Sequence, residues 1–450
     1  MRYVSTRGGP AIGFEEALLR GLAPDGGLYA PEAWPRLSPA DPARPYAQRL
    51  AETLAAFGAV EAEAAAARAT ARFAHPEIAP LRQLGPDLWL LELFHGPTAA
   101  FKDLAMQAMA PLLEAALAAR GERLLLLTAT SGDTGAAAVQ AFAGAAGIQL
   151  CVLHPEGRIS PVQRRQMTTV AADNVLNLAI EGDFDDCQRL VKTLLESPRL
   201  RAGALVSSVN SINWGRLAGQ IPYYVDHAAR AGDNARFVVP TGNFGDAFAG
   251  WAARACGAPL GPILAAVNRN DALVAALERG ELRRRAAVAT PSVSMDVGLP
   301  SNLERLVFEA AGRDPAPVRD AFEALAREGA AQLPPELVAA LRAEVSARCI
   351  KDAPAAAAMR RAWEAFGLVV CPHTAVGLAA HWAAPYPGPS VVLATAHPAK
   401  FPETVEAVLG FAPEAPASLT EFAERAERCQ TLPADAAAVE AAALTLLRRV

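Results

Sequence analysis

Arg123-Leu124-Leu125-Leu126-Leu127-Thr128-Ala129-Thr130-Ser131-Gly132-Asp133-Thr134-Gly135 is an apolar run that passes directly into a hydroxyl-rich turn, with a helical period starting at Ala136. A run without a polar face must be covered on both sides, which is the situation of a strand inside a parallel sheet. The same unit recurs along the chain. Residues 149–153, 175–180, 204–207, 236–239, 263–267 and 390–394 are short and rich in Leu, Val and Ile, and helical periods at 136–146, 161–171, 184–195 and 214–229 lie between most of them. This alternation predicts an α/β protein with doubly wound, mainly parallel sheets and helices on both faces. In such sheets ligands sit beyond the carboxyl ends of the strands.

That rule brings four polar turns to one rim. Residues 128–135 form the first. Val238-Val239-Pro240-Thr241-Gly242-Asn243-Phe244-Gly245-Asp246 follows another strand, Ser207-Ser208-Val209-Asn210-Ser211-Ile212-Asn213-Trp214-Gly215-Arg216 a third, and Thr395-Ala396-His397-Pro398-Ala399-Lys400 the last. A Gly-rich turn that opens a helix offers unpaired N–H groups at the positive end of the helix dipole, which suits a phosphate or carboxylate. Gly242 to Asp246 has that character, without the lysine of a Walker A loop or G-x-G-x-x-G spacing. An ordinary strand-to-helix turn has the same composition. Asp133 or Thr134 can cap the next helix. Arg216, close to Asn210, Ser211 and Asn213, can clamp an anion, or can simply be an exposed helix arginine. His95 and His397 have no metal partner at ligand spacing, so structural roles are expected of both and no metal site is predicted. Arg283-Arg284-Arg285 is expected to form a solvated helix face.

Upstream of these turns lies Glu92-Leu93-Phe94-His95-Gly96-Pro97-Thr98-Ala99-Ala100-Phe101-Lys102-Asp103. Lys102 follows a Gly-Pro turn and sits between Phe101 and Leu104 on an apolar helix start. Desolvation there would lower its pKa and free its lone pair, as a covalent amine nucleophile requires; a surface lysine is the plain alternative.

A chain of 450 residues with 52% hydrophobic and 20% charged residues is globular and long enough for two or three domains. Residues 1–88 are expected to form a unit of helices (14–22, 46–57 and 60–73) and loops, the latter marked by prolines 31, 35, 39, 42 and 45. A catalytic region of two α/β subdomains is expected over 89–410 and a helical tail over 411–450. A net charge of −5 argues against binding nucleic acid. Six scattered cysteines without a C-x-x-C pair fit reduced thiols. No apolar signal core and no run of 18 apolar residues are present, so a cytoplasmic protein without a membrane span is expected.

Together these segments, with Tyr3-Val4-Ser5-Thr6-Arg7-Gly8 and Asp25-Gly26-Gly27-Leu28-Tyr29 near the start, closely resemble the bacterial and fungal branch of the threonine synthase family. The resemblance runs nearly end to end. It implies a fold-type II enzyme that uses pyridoxal 5′-phosphate to turn O-phospho-L-homoserine and water into L-threonine and phosphate, the last step of threonine biosynthesis. Lys102 is similar to the lysine that carries the cofactor and moves protons. Gly242, Asn243, Phe244, Gly245 and Asp246 resemble the cup for the cofactor phosphate, and Thr395 matches the hydroxyl facing the pyridine nitrogen. Asp133 stands where many relatives of this fold have Asn near the 3-oxygen, where an ionised carboxylate would repel a phenolate. Thr130, Ser131 and Thr134 resemble the loop for the substrate carboxylate; Asn210, Ser211, Asn213 and Arg216 resemble the site for its phosphate. The implied protein is a monomer or homodimer. A threonine-synthase-like phospholyase, a serine/threonine dehydratase or sulfhydrylase, and a non-catalytic binding protein of the same fold are the competing readings.

Overall fold

The computed structural model describes residues 1–41, 43–422 and 424–449; Pro42, one of the loop prolines, lies outside them. Two parallel sheets dominate. One has six strands in the order Val345–Cys349, Ile263–Val267, Arg236–Pro240, Ser390–Ala394, Leu88–Glu92, Leu81–Gly85, all parallel except the last. The other has five parallel strands in the order Gln430–Pro433, Val175–Glu181, Ile148–Pro155, Leu124–Ala129, Leu205–Ser207.

Every strand expected from the sequence is present, and those at the sheet centres are the ones with no polar face. All six residues of Leu124–Ala129 and all eight of Ile148–Pro155 are buried. Helices cover both faces, among them Lys102–Arg120, Asp133–Phe142 and Phe184–Leu195. Among the described residues no helix is long and apolar enough to cross a membrane.

The structure corrects four expectations. The helix expected over 214–229 is two helices, Trp214–Ala218 and Ile221–His227, because Pro222, in the first turn of the second, lacks the N–H that would continue the first. The N-terminal unit is not only helices and loops: Arg2–Ser5 pairs antiparallel with Ile12–Gly13 and Tyr29–Pro31 in a small sheet. The C-terminal tail is not wholly helical, since Gln430–Pro433 forms the edge of the five-stranded sheet before the helix Ala436–Leu447 packs beneath it. Arg283 to Arg285 lie on no helix. Glu281–Arg283 is a strand paired with Ala330–Gln332, and Arg285 bonds Glu281 and Asp271. In addition, the hairpin of Leu81–Gly85 with Leu88–Glu92 spans the expected boundary at 88.

Candidate active site

Lys102 begins the 19-residue helix Lys102–Arg120, and the turn before it is fixed from both sides. Asp103 accepts from the Thr98 N–H and hydroxyl, both at 2.8 Å. Gly96 makes room for this arrangement, because a Cβ there would lie 2.5 Å from Asp103 Oδ2. From the neighbouring strand end, the Thr395 carbonyl accepts from the Phe101 N–H at 2.8 Å, and the His397 N–H donates to Ala99 at 3.0 Å. Lys102 and Thr395 are thereby held on the same rim. The histidines have structural positions: His95 Nε2 lies 2.8 Å from Glu92 Oε2, and His397 Nδ1 accepts from the Ala399 N–H at 3.2 Å.

The Lys102 amine lies 4.6 Å from the Phe101 ring centroid and 3.5 Å from Asp133 Oδ2. Burial pushes its pKa down, Arg216 and Lys400 push it further, and Asp133 opposes them without reversing the direction. The amine is therefore closer to its free form than a solvated lysine would be.

Asp133 is the centre of a polar cage. Lys400, fully buried, approaches Oδ1 at 2.8 Å; Gln163 Nε2 donates to the same oxygen at 2.9 Å and Ser294 Oγ to Oδ2 at 3.0 Å. Gln163 gets this close because residue 132 is glycine: a Cβ at Gly132 would fall 2.3 Å from the Gln163 side chain. Burial alone would raise the Asp133 pKa, but the charges of Lys400 and Lys102 outweigh it and hold the carboxyl well below its usual range. It is ionised. His373 is pushed down to about 4 by burial, and its Nε2 accepts from the Ser294 N–H, so it stands neutral beside the cage.

Across the rim, Phe244 takes a left-handed conformation (φ 62°) and starts the helix Gly245–Ala255. The five N–H groups from Gly242 to Asp246 donate to no protein acceptor among the described residues. Free N–H groups at a helix start are an anion cradle. Asn302 braces it, its Nδ2 donating to the Asn243 carbonyl at 3.1 Å and to the Ser211 carbonyl at 3.0 Å. Arg305 in turn holds Asn302 and donates to the Ile212 carbonyl at 2.6 Å.

The Asp246 side chain is turned to the hydroxyls of Tyr223 and Tyr224, while its Oδ2 is buried without a partner. Burial raises its pKa from 3.8 to about 6. Between those values the folded protein keeps a proton that the unfolded chain has released, so stability falls as pH rises through the window and the loss is complete above it. Asp246→Asn keeps an acceptor for both tyrosines. Its melting temperature should match that of the wild type near pH 3.8 and exceed it by a growing margin up to about pH 6.

A cavity of about 920 Å³ joins these parts. Lys102, Ser131, Asp133, Thr134, Asn210, Ser211, Arg216, Gly242 to Asp246 and Thr395 all line it, and Arg7, Leu22, Gly26 and Leu28 of the N-terminal segment complete its wall. Arg216 is 3% exposed, not a surface residue; one nitrogen donates to the Val209 carbonyl at 3.1 Å and its Nε has no partner. Burial brings its pKa down to about 10, so it remains a cation near neutral pH. Asn210 Oδ1 accepts from Thr128 at 2.6 Å.

Two expected site residues do not line the cavity. Thr130 Oγ1 accepts from the N–H groups of Gly132 and Gly135 at 2.9 and 2.8 Å and so shapes the turn from behind. Asn213 caps its helix through the Gly215 N–H and donates to the Leu18 and Ser208 carbonyls, which engages its whole amide. Lys400, Gln163, Ser294, Asn302 and Arg305 were not expected. Lys400 alone had a signal, since it closes the motif that begins at Thr395.

The residues fit a pyridoxal phosphate: a buried amine of lowered pKa faces a cradle of five free N–H groups across one cavity. The family model described as a pyridoxal-phosphate dependent enzyme matches residues 68–395, and fold and site together define a fold-type II enzyme of that class. Models for the threonine synthase N terminus and the threonine synthase C-terminal region match residues 2–57 and 374–442. Threonine synthase of Pseudomonas aeruginosa is 41% identical, covering 98% of this chain and 97% of that one. The crystal structure of pyridoxal-phosphate-bound threonine synthase from Brucella melitensis superposes with a TM-score of 0.94 at 41% identity, covering all of both chains. The human protein named threonine synthase-like 2 is 34% identical over 95% of this chain and 93% of its own. This chain belongs to the threonine synthase family.

Proposed function

We propose that this chain converts O-phospho-L-homoserine and water into L-threonine and phosphate, with pyridoxal 5′-phosphate as cofactor. The observation that carries this reading is the shared cavity, in which one amine, one anion cradle and one buried cation face the same space.

When bound, pyridoxal phosphate supplies an electron sink that lets bonds at the substrate's α carbon ionise. Lys102 anchors it and, as a free amine, takes the α proton and then a β proton of the substrate and returns protons to it. The N–H groups of Gly242, Asn243, Phe244, Gly245 and Asp246 hold the cofactor phosphate. Thr395 offers a neutral hydroxyl to the ring nitrogen. Asp133 belongs on the side of the 3-oxygen, where the Lys400 ammonium offsets the carboxylate charge that would otherwise repel it. Ser131 and Thr134 take the substrate carboxylate on a turn shaped by Thr130. Arg216, with Asn210 and Ser211, takes the substrate phosphate as it leaves the γ carbon, and Asn213 fixes the helix that carries Arg216. The N-terminal unit, residues 1–88 with its edge near the hairpin at 81–92, limits the access of water to the amine.

A dehydratase needs no second anion clamp, so release of phosphate from O-phosphohomoserine without ammonia release from serine supports the reading, and the converse removes it. The competing reading is a threonine-synthase-like phospholyase that gives a 2-oxo acid from the same type of substrate, and analysis of the product separates the two. We further assign the protein to the cytoplasm, which suits its six free cysteines, as a monomer or homodimer.

A further inference from the structure

Lys400 is the second lysine of the site, and no step of the reaction above uses it to move a proton. It lies on the short turn Pro398–Lys400 after the strand Ser390–Ala394, fully buried. Its ammonium makes a close ion pair with Asp133 Oδ1 at 2.8 Å and donates to the Thr98 carbonyl at 2.7 Å. Lys102 lies farther from the other carboxylate oxygen, at 3.5 Å. A buried cation is costly unless it is paired, so the position calls for a role that an apolar side chain could not fill.

We propose that Lys400 is a positioning residue: by taking the close ion pair with Asp133, it lets that carboxylate orient Lys102 without holding the Lys102 amine as an ammonium. This rests on Lys102 being the reactive amine.

The groups acting on Lys102 come from five elements. They are Asp133 on the helix Asp133–Phe142, Lys400 on its turn, Arg216 on Trp214–Ala218, Asp246 at the start of Gly245–Ala255, and His373 on Pro372–Ala383. Without the Lys400 charge, Ser294 and Gln163 still donate to Asp133, which stays a carboxylate with Lys102 as its nearest cation. The ammonium form of Lys102 then persists to higher pH.

Lys400→Gln removes the charge and keeps a donor. The test is competitive acetylation of the full-length chain, freed of cofactor, with the Lys102 peptide followed by mass spectrometry across pH. K400Q should raise the titration midpoint of Lys102, and at a pH below both midpoints labelling should slow about tenfold for each pH unit by which the midpoint rises. K400R should restore the wild-type midpoint. In a D133N background, K400Q should move the midpoint by less, because only the direct repulsion between the two lysines is then lost. An unchanged midpoint in K400Q, or equal changes in the two backgrounds, overturns the proposal. If K400Q alone fails to fold, D133N/K400Q removes both charges of the close ion pair and still decides: labelling about tenfold slower than in D133N also overturns it. The measurement needs no turnover, so it is separable from the role of Lys102, which fails independently if Lys102→Ala stays active.

Discussion

Lys102→Ala should lower turnover by about 10⁴-fold or more, the upper end for loss of a positioned acid–base group, because the same amine is also the covalent anchor. The chain should still fold. The Lys102 side chain is 12% exposed and its one close polar contact is a 3.5 Å approach to Asp133, which keeps Lys400 at 2.8 Å when Lys102 is gone. Melting should therefore change little, and the cradle at 242–246 should keep part of its affinity for the cofactor phosphate. The checks are steady-state rates, the cofactor's visible absorbance, and borohydride treatment followed by peptide mass mapping. In the wild type the label should fix on the peptide carrying Lys102, and in the variant no lysine should carry it. Turnover within about tenfold of wild type, or a label on Lys400, would remove Lys102 from its role.

Arg216→Met should act on the other end of the substrate. Hydrogen bonds to charged groups are worth about 1.5–3 kcal/mol, so kcat/KM for O-phosphohomoserine should fall by about 10- to 150-fold, chiefly through KM. Arg216→Lys should recover only part of this, because an ammonium cannot both donate to the Val209 carbonyl and present a planar fork to phosphate. Inhibition by inorganic phosphate should weaken in parallel. A purely structural Arg216 would instead lower the melting temperature and leave KM and phosphate inhibition unchanged.

Much of this architecture is legible in the sequence for a physical reason. Strands inside a parallel sheet are apolar on both faces, so 124–129 and 148–155 stand out as continuous runs, and the turns after them must lie on the ligand-binding rim. The edge strand Gln430–Pro433 is not legible, because three of its four residues are exposed and it carries no apolar signal. The strands Arg2–Ser5 and Ile12–Gly13 are too short to show a period. In the site, Lys102 and the 242–246 turn have plain alternatives in a surface lysine and an ordinary strand-to-helix turn, and it is the resemblance over several ordered motifs that singles them out. Lys400 carries only the signal that it closes the motif beginning at Thr395; its role does not show, because a lone lysine has the sequence of a solvated one, and only the approach of the two sheets buries it against Asp133. The same limit applies to Thr130 and Asn213. Their residue types suit a ligand as well as a backbone N–H, and only the fold decides between them.

The most direct measurement is the product made from O-phospho-L-homoserine by the cofactor-loaded, full-length enzyme, with amino acids, 2-oxo acids and phosphate quantified together. L-threonine and inorganic phosphate should appear in equal amounts. Phosphate released with 2-oxobutyrate and without threonine would contradict the account.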